Sequence, residues 1–165
     1  MPFYFAYGSN MDAAAMRARC PKSRPLGRAR LARHRFALMA DGYATVVRDP
    51  NSEAHGVLYD LALSDVPALD RYEGVARGLY SKATQPALRA DGRPVRALVY
   101  IGAAPAVAGR ARNPEYMAGV IAAARAAELP ATYVEFLSGL LSGNGAAAPQ
   151  RRAIKWTPPA SRENG

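Results

Sequence analysis

Cysteine occurs once in 165 residues, at Cys20, so no intramolecular disulfide can form and a zinc site built on paired cysteines is excluded. An isolated thiol fits a reducing, cytoplasmic setting. Histidine is nearly as scarce. His34 and His55 have no metal-ligand spacing and no cysteine or carboxylate cluster beside them, and both read as strand or turn residues. Neither Gly-x-Gly-x-x-Gly nor a Gly-Lys-Ser/Thr phosphate loop is present, so no nucleotide cofactor is expected. There is no Gly-x-Ser-x-Gly elbow, and Cys20 precedes a proline without a histidine beside it, which leaves nucleophilic catalysis little support. Long apolar runs are missing too. The opening Met1-Pro2-Phe3-Tyr4-Phe5-Ala6 has no basic leader and is too short to span a bilayer, so the expectation is a soluble, unexported protein without a membrane partner.

Acidic residues are few: Lys+Arg 22 against Asp+Glu 13 gives a net charge of +9, which favours anionic partners and makes nucleic acid the first class to weigh. Lysine supplies little of that charge, at Lys22, Lys82 and Lys155, and the arginines are scattered rather than gathered along one helix. Joint enrichment in alanine and arginine can reflect the base composition of a genome, so a basic nucleic-acid-binding protein is an alternative reading and not the leading one.

The length suffices for one domain with a proper core. Phe3 to Tyr7 has strand composition, and Gly8 breaks it before Ser9, Asn10 and Asp12, which are good capping residues for a short helix from Asp12 to Arg19. Strands are expected over 29–39, 45–48 and 56–61, separated by turns at Asp41-Gly42 and Asp49-Pro50-Asn51-Ser52. Ser64 should cap a helix from Asp65 to Glu73, closed by a left-handed Gly74. Two further strands, 79–85 and 95–101, flank the turn Asp91-Gly92. Asn113-Pro114-Glu115 combines a cap, a proline at the first helical position and an early acid, predicting a helix to about Glu128. Another helix starts at Pro130, with Phe136, Leu137, Leu140 and Leu141 on one stripe before Gly143. The domain is placed at 1–142, with 143–165 an extended or partly disordered tail. Strands joined by turns and interrupted irregularly by helices point to the α+β class.

Two places could carry chemistry. Val66, Leu69 and Glu73 follow i, i+3, i+7 spacing, which puts a carboxylate on an otherwise apolar helix face, near the partly negative C-terminus. Both effects favour the protonated acid, and a carboxyl group whose pKa approaches neutrality suits general acid/base work. A solvated glutamate in the last turn of a short helix is the competing reading. The loop Gly8-Ser9-Asn10 sits at a strand-to-helix junction, where backbone N–H groups can converge on an anion such as a carboxylate. From residues alone, a plain capped helix after a turn is the commoner explanation of so short a loop. Nine tyrosines against four phenylalanines suit a small polar ligand site as well as a core.

Taken together, Tyr4-Phe5-Ala6-Tyr7-Gly8-Ser9-Asn10-Met11 and Leu69-Asp70-Arg71-Tyr72-Glu73-Gly74-Val75 resemble the two hallmark segments of the γ-glutamylcyclotransferase family. The likeness extends to Gly78-Leu79-Tyr80, Tyr100 and Asn113-Pro114-Glu115-Tyr116, and covers roughly residues 3 to 141. The resemblance implies a small mixed β-barrel with flanking helices. It implies that Tyr4, Phe5, Ala6, Tyr7, Gly8, Ser9 and Asn10 hold the substrate's α-carboxylate and amino end, that Glu73 carries the proton, and that Tyr80, Tyr100 and Tyr116 line the pocket. The implied reaction is attack of the substrate's α-amine on its own γ-amide carbon, releasing 5-oxoproline and a free amine without a metal. The implied substrate is a small γ-glutamyl amino acid or amine. Met11 replaces the leucine of many members, a volume-conserving change, and Asn10 stands where glutathione-specific relatives usually carry leucine. A non-catalytic binding or regulatory protein on the same fold is the other alternative, disfavoured because Glu73 and the loop are both intact. Oligomeric state stays open, a homodimer being one option.

Overall fold

The computed structural model describes residues 2–144. Most of the expected tail, from Gly145 onward, therefore lies outside the described residues. Strand β1 (Phe3–Ala6) pairs antiparallel with β3 (Ala44–Asp60) and parallel with β5 (Pro94–Gly102). Strand β4 (Tyr80–Arg89) joins β5 to β2 (Arg24–Met39), and β2 returns to β3, so five strands close a mixed barrel in the order β3-β1-β5-β4-β2. A two-residue strand β6 (Ala106–Val107), with no sequence signal, extends β2 at Leu38 and Met39. Closure removes the exposed edges an open sheet of this size would carry. The helices α1 (Ala13–Arg19), α2 (Val66–Glu73), α3 (Pro114–Ala126) and α4 (Ala131–Ser142) flank the barrel, as the α+β reading expects.

The largest departure from expectation is the length of β2 and β3. Asp49-Pro50-Asn51-Ser52 does not end a strand. The ladder passes from His34↔Arg48 to Ala32↔Glu53, so four residues bulge opposite Arg33 alone, whose φ is 61°. The local turn chemistry is present: Asp49 accepts from the Asn51 N–H at 3.0 Å and the Ser52 hydroxyl at 2.6 Å. The β2–β3 pairing continues on both sides and absorbs it.

Helix ends follow local chemistry closely. Asp12 caps α1 by accepting from the Ala15 N–H at 2.6 Å, and Asn113 caps α3 through the Tyr116 N–H at 3.1 Å. The expected Ser64 cap on α2 is replaced by a 3-10 turn, Leu63–Asp65, with no side-chain cap. The Asp65 carboxylate accepts instead from the Lys22 N–H and the Ser23 hydroxyl, tying α2 to the end of α1. Gly74 closes α2 at φ 65° and ψ 36°, as expected. Helix α3 ends at Ala126, before the expected Glu128, where the backbone turns left-handed (φ 54°). Between β1 and β3 the backbones approach so closely that a Cβ on Gly56 would lie 2.1 Å from the Ala6 carbonyl oxygen.

Candidate active site

Beyond β1 the chain turns through a 3-10 segment, Ser9–Met11, before α1 begins. This turn faces the end of α2, and between them lies a small cavity lined by Tyr4, Tyr7, Gly8, Ser9, Asn10, Ala44, Glu73, Tyr80, Tyr100 and Tyr116. The structure thus gathers nearly every residue the sequence singled out, from three strands, two helices and the loop with its 3-10 turn. Phe5 and Ala6 are the exceptions: both are buried in β1 and neither lines the cavity. Alternation explains Phe5, since Tyr4 stacks with Tyr59 and meets Tyr100 edge-on while its neighbour in sequence points to the other face.

Glu73 is the last residue of α2 and is mostly buried, beneath the helix face anchored by fully buried Leu69. Burial pushes its carboxyl from an ordinary value of 4.5 up to about 7, against the opposing pull of the Arg19 charge and a hydrogen bond from Asn10. That bond runs from Asn10 Nδ2 to Glu73 Oε1 at 2.9 Å. The same amide nitrogen donates to the Tyr4 hydroxyl at 3.0 Å, and Asn10 Oδ1 accepts from Arg19 Nη1 at 2.5 Å. Arg19 therefore fixes which way the amide points, since only its oxygen can face a guanidinium. The Arg19 guanidinium carbon in turn lies 3.5 Å from the centre of the Tyr72 ring, and the Tyr72 hydroxyl is 2.8 Å from the Ser9 hydroxyl. The polar atoms of the Asn10 side chain are thereby engaged by protein groups. Arg19, Tyr72 and Ala44 are not among the site residues expected from sequence. In the sequence Arg19 marks only the end of the helix expected from Asp12.

The tyrosines divide by where their protons go. Tyr7 donates to the Tyr100 carbonyl at 2.5 Å, Tyr80 to the Ala44 carbonyl at 2.7 Å, and Tyr100 to Asp70 Oδ1 at 2.6 Å. Burial would raise the Asp70 carboxyl, but hydrogen bonds from Lys82 and Tyr100 outweigh it and hold the group below its usual range. Tyr4 and Tyr116 differ from these three, because their hydroxyls accept from Asn10 and from the Ala44 N–H, leaving their own protons for another acceptor. Burial raises the pKa of Tyr4 and of Tyr116, so both stay protonated donors near neutral pH. A second, outer cleft shares Ser9, Glu73, Tyr80 and Tyr116 with the cavity, which places Glu73 between an inner chamber and a vestibule.

Among the described residues no group of three or more His, Cys, Asp or Glu could hold a metal ion, and no helix is long and apolar enough to cross a membrane. No curated protein sequence gives a significant match. A solved structure of a gamma-glutamyl cyclotransferase matches with a TM-score of 0.75 at 24% identity, covering 83% of this chain and 86% of that one. A human protein described as uncharacterized matches with a TM-score of 0.75 at 23% identity, over 97% of this chain and 93% of its own. YkqA from Bacillus subtilis matches with a TM-score of 0.71 at 26% identity, over 86% of this chain and 54% of its own. The family model described as gamma-glutamyl cyclotransferase, AIG2-like, matches residues 4–119, a span that takes in the 3-10 turn, α2 and every residue lining the cavity. A barrel of this topology and a match over that span lead to one assignment: the chain belongs to the gamma-glutamyl cyclotransferase, AIG2-like family.

Proposed function

We propose that the protein converts a small γ-glutamyl compound into 5-oxoproline and a free amine, with Glu73 as proton carrier. The observation that carries this reading is a mostly buried carboxyl, poised at about 7 and oriented by Asn10, on the wall of a tyrosine-lined cavity. A substrate α-ammonium cannot attack, so one proton must leave it first, and a carboxylate of matched pKa accepts that proton at neutral pH. The freed nitrogen forms a bond to the γ-carbonyl carbon, closing a five-membered ring. The attacking nitrogen then gives up its second proton to solvent, the γ-amide C–N bond breaks, and the proton held on Glu73 goes to the departing nitrogen, leaving a neutral lactam and a free amine.

Intramolecular attack gains most from positioning. Gly8, Ser9 and Asn10 line the chamber where the 3-10 turn begins, and although the Met11 N–H is spent on the Gly8 carbonyl, the N–H of Asn10 at the start of the turn suits an α-carboxylate. The oxyanion that develops on the γ-carbonyl oxygen needs preorganised donors, and Tyr4 and Tyr116 have hydroxyl protons not spent on the protein. The test is direct: wild-type protein and Glu73→Gln are incubated with γ-glutamyl amino acids and amines, and 5-oxoproline is measured by mass spectrometry. Lactam is expected from wild type, with turnover at least about a hundredfold lower in the variant at unchanged fold. Lactam from no donor, or full activity in Glu73→Gln, defeats the reading.

A further inference from the structure

Large apolar side chains exposed to solvent are few among the described residues: Leu26, Tyr43, Leu63, Tyr72 and Leu79. Three of the five, Tyr43, Tyr72 and Leu79, line the outer vestibule next to Glu73. Exposed apolar groups converging on one cleft mark a ligand surface better than the same groups scattered. The rim is also held in place. The Tyr43 ring packs edge-on against Tyr116 with centroids 5.0 Å apart, and Tyr72 is fixed by Ser9 and by the Arg19 guanidinium.

One cation joins this rim. Arg77 ends a 3-10 turn, Val75–Arg77, set between Gly74 and Gly78, both with positive φ. Its guanidinium comes close over Gly74, the residue after Glu73: a Cβ built there would lie 3.0 Å from Arg77 Nη2. None of the ion pairs among the described residues includes Arg77, although Asp41 lines the same vestibule. Asp41 is occupied locally, accepting from the Tyr43 N–H at 3.1 Å. The vestibule therefore offers an apolar rim, a guanidinium without an ion partner, and a carboxylate that repels acidic groups.

We propose that the vestibule recognises the leaving group as an apolar or aromatic α-amino acid, with Arg77 pairing to its carboxylate and Tyr43, Tyr72 and Leu79 packing on its side chain. The proposal rests on the cyclotransferase reading, which puts the scissile nitrogen beside Glu73. From there a leaving amino acid extends outward into the vestibule, its carboxylate two bonds from the nitrogen. A simple alkylamine fills the apolar rim but leaves the guanidinium unmatched. A γ-glutamyl-glutamate brings a second carboxylate toward Asp41, where like charges repel.

The test compares γ-glutamyl-phenylalanine with γ-glutamyl-phenethylamide, which differ by the leaving-group carboxylate alone. In wild type the amino acid donor should have about a tenfold higher kcat/KM, expressed in KM, because the pairing is the same in ground and transition states. The preference should shrink as salt rises, since Arg77 is exposed. Arg77→Gln should bring the ratio of the two donors to within about twofold. The same two donors are titrated calorimetrically into Glu73→Gln and into Glu73→Gln/Arg77→Gln, which reads recognition without turnover. A binding preference that vanishes with Arg77 supports the proposal even where wild type forms no lactam, a result that would defeat only the chemistry. Equal binding of the two donors, or a preference that survives Arg77→Gln, overturns it.

Discussion

Asn10 donates a hydrogen bond to Glu73 at 2.9 Å across a sequence separation of 63 residues, and it is the only side chain seen to donate to that carboxyl among the described residues. The bond favours the ionised acid, whereas burial, the larger effect, favours the neutral one. Replacing Asn10 with leucine leaves burial and removes the donor, so the Glu73 pKa should move further up. The limb of kcat/KM that rises with pH near 7 should then lie at more alkaline pH, with activity at pH 7 reduced about tenfold for every pH unit the limb moves. A pH–rate profile measured on wild type and Asn10→Leu checks this. Coincident limbs would mean that the titrating group in catalysis is not Glu73.

The same carboxyl links stability to pH. Its pKa is raised in the folded state, to about 7 from an ordinary 4.5, so the folded protein binds this proton more tightly than the unfolded chain does. The associated stability is complete below about 4.5 and is lost as pH rises through about 7. Urea unfolding across that window should show a declining contribution in wild type that is missing in Glu73→Gln. Parallel profiles for the two proteins would contradict the assignment of the raised pKa.

Tyr4 and Tyr80 line the same cavity, yet their protons go to different places. Tyr4→Phe removes a donor available to the developing oxyanion, so kcat should fall about a hundredfold with little change in KM. Tyr80→Phe removes a bond to the Ala44 carbonyl, and its effect should fall on stability more than on kcat. Steady-state kinetics paired with thermal melts on the two variants separates these outcomes, and a reversed pattern would reassign the donor.

Two glycines test the packing of the barrel independently of chemistry. A methyl group at Gly56 meets the Ala6 carbonyl oxygen at 2.1 Å, and backbone of a paired strand cannot step aside. A methyl group at Gly102 meets Met39 Sδ at 2.2 Å, but a methionine can change rotamer. Gly56→Ala should therefore cost about 3 kcal/mol or more, and Gly102→Ala clearly less, by denaturant titration.

Local signals make Glu73 and the loop candidates in the chain, whereas Tyr80, Tyr100 and Tyr116 are legible only through the family resemblance. Val66, Leu69 and Glu73 declare the helix face by spacing, Gly74 its end, and Asn113-Pro114-Glu115 the start of α3. What could not be read depends on distant partners. The Asn10 amide could serve a ligand or a neighbour, and only the approach of α2 decides for Glu73. Arg19 gains its meaning from Asn10 and Tyr72, nine and 53 residues away. The turn chemistry of Asp49-Pro50-Asn51-Ser52 is visible in sequence but its setting is not, because the pairing of β2 with β3 on both sides converts a turn into a bulge.

The pairing of β1 also sets an order of events during synthesis. Residues 3–6 leave the ribosome well before their partners, residues 57–60 and 97–98. The segment leading into the 3-10 turn must wait, unpaired on at least one side, until most of the described chain has emerged. Nascent chains released before β5 would contain both Asn10 and Glu73, but without the strand that supplies Tyr100 and closes the barrel. Assembly of the cavity thus waits for β5, long after Asn10 and Glu73 have been synthesised.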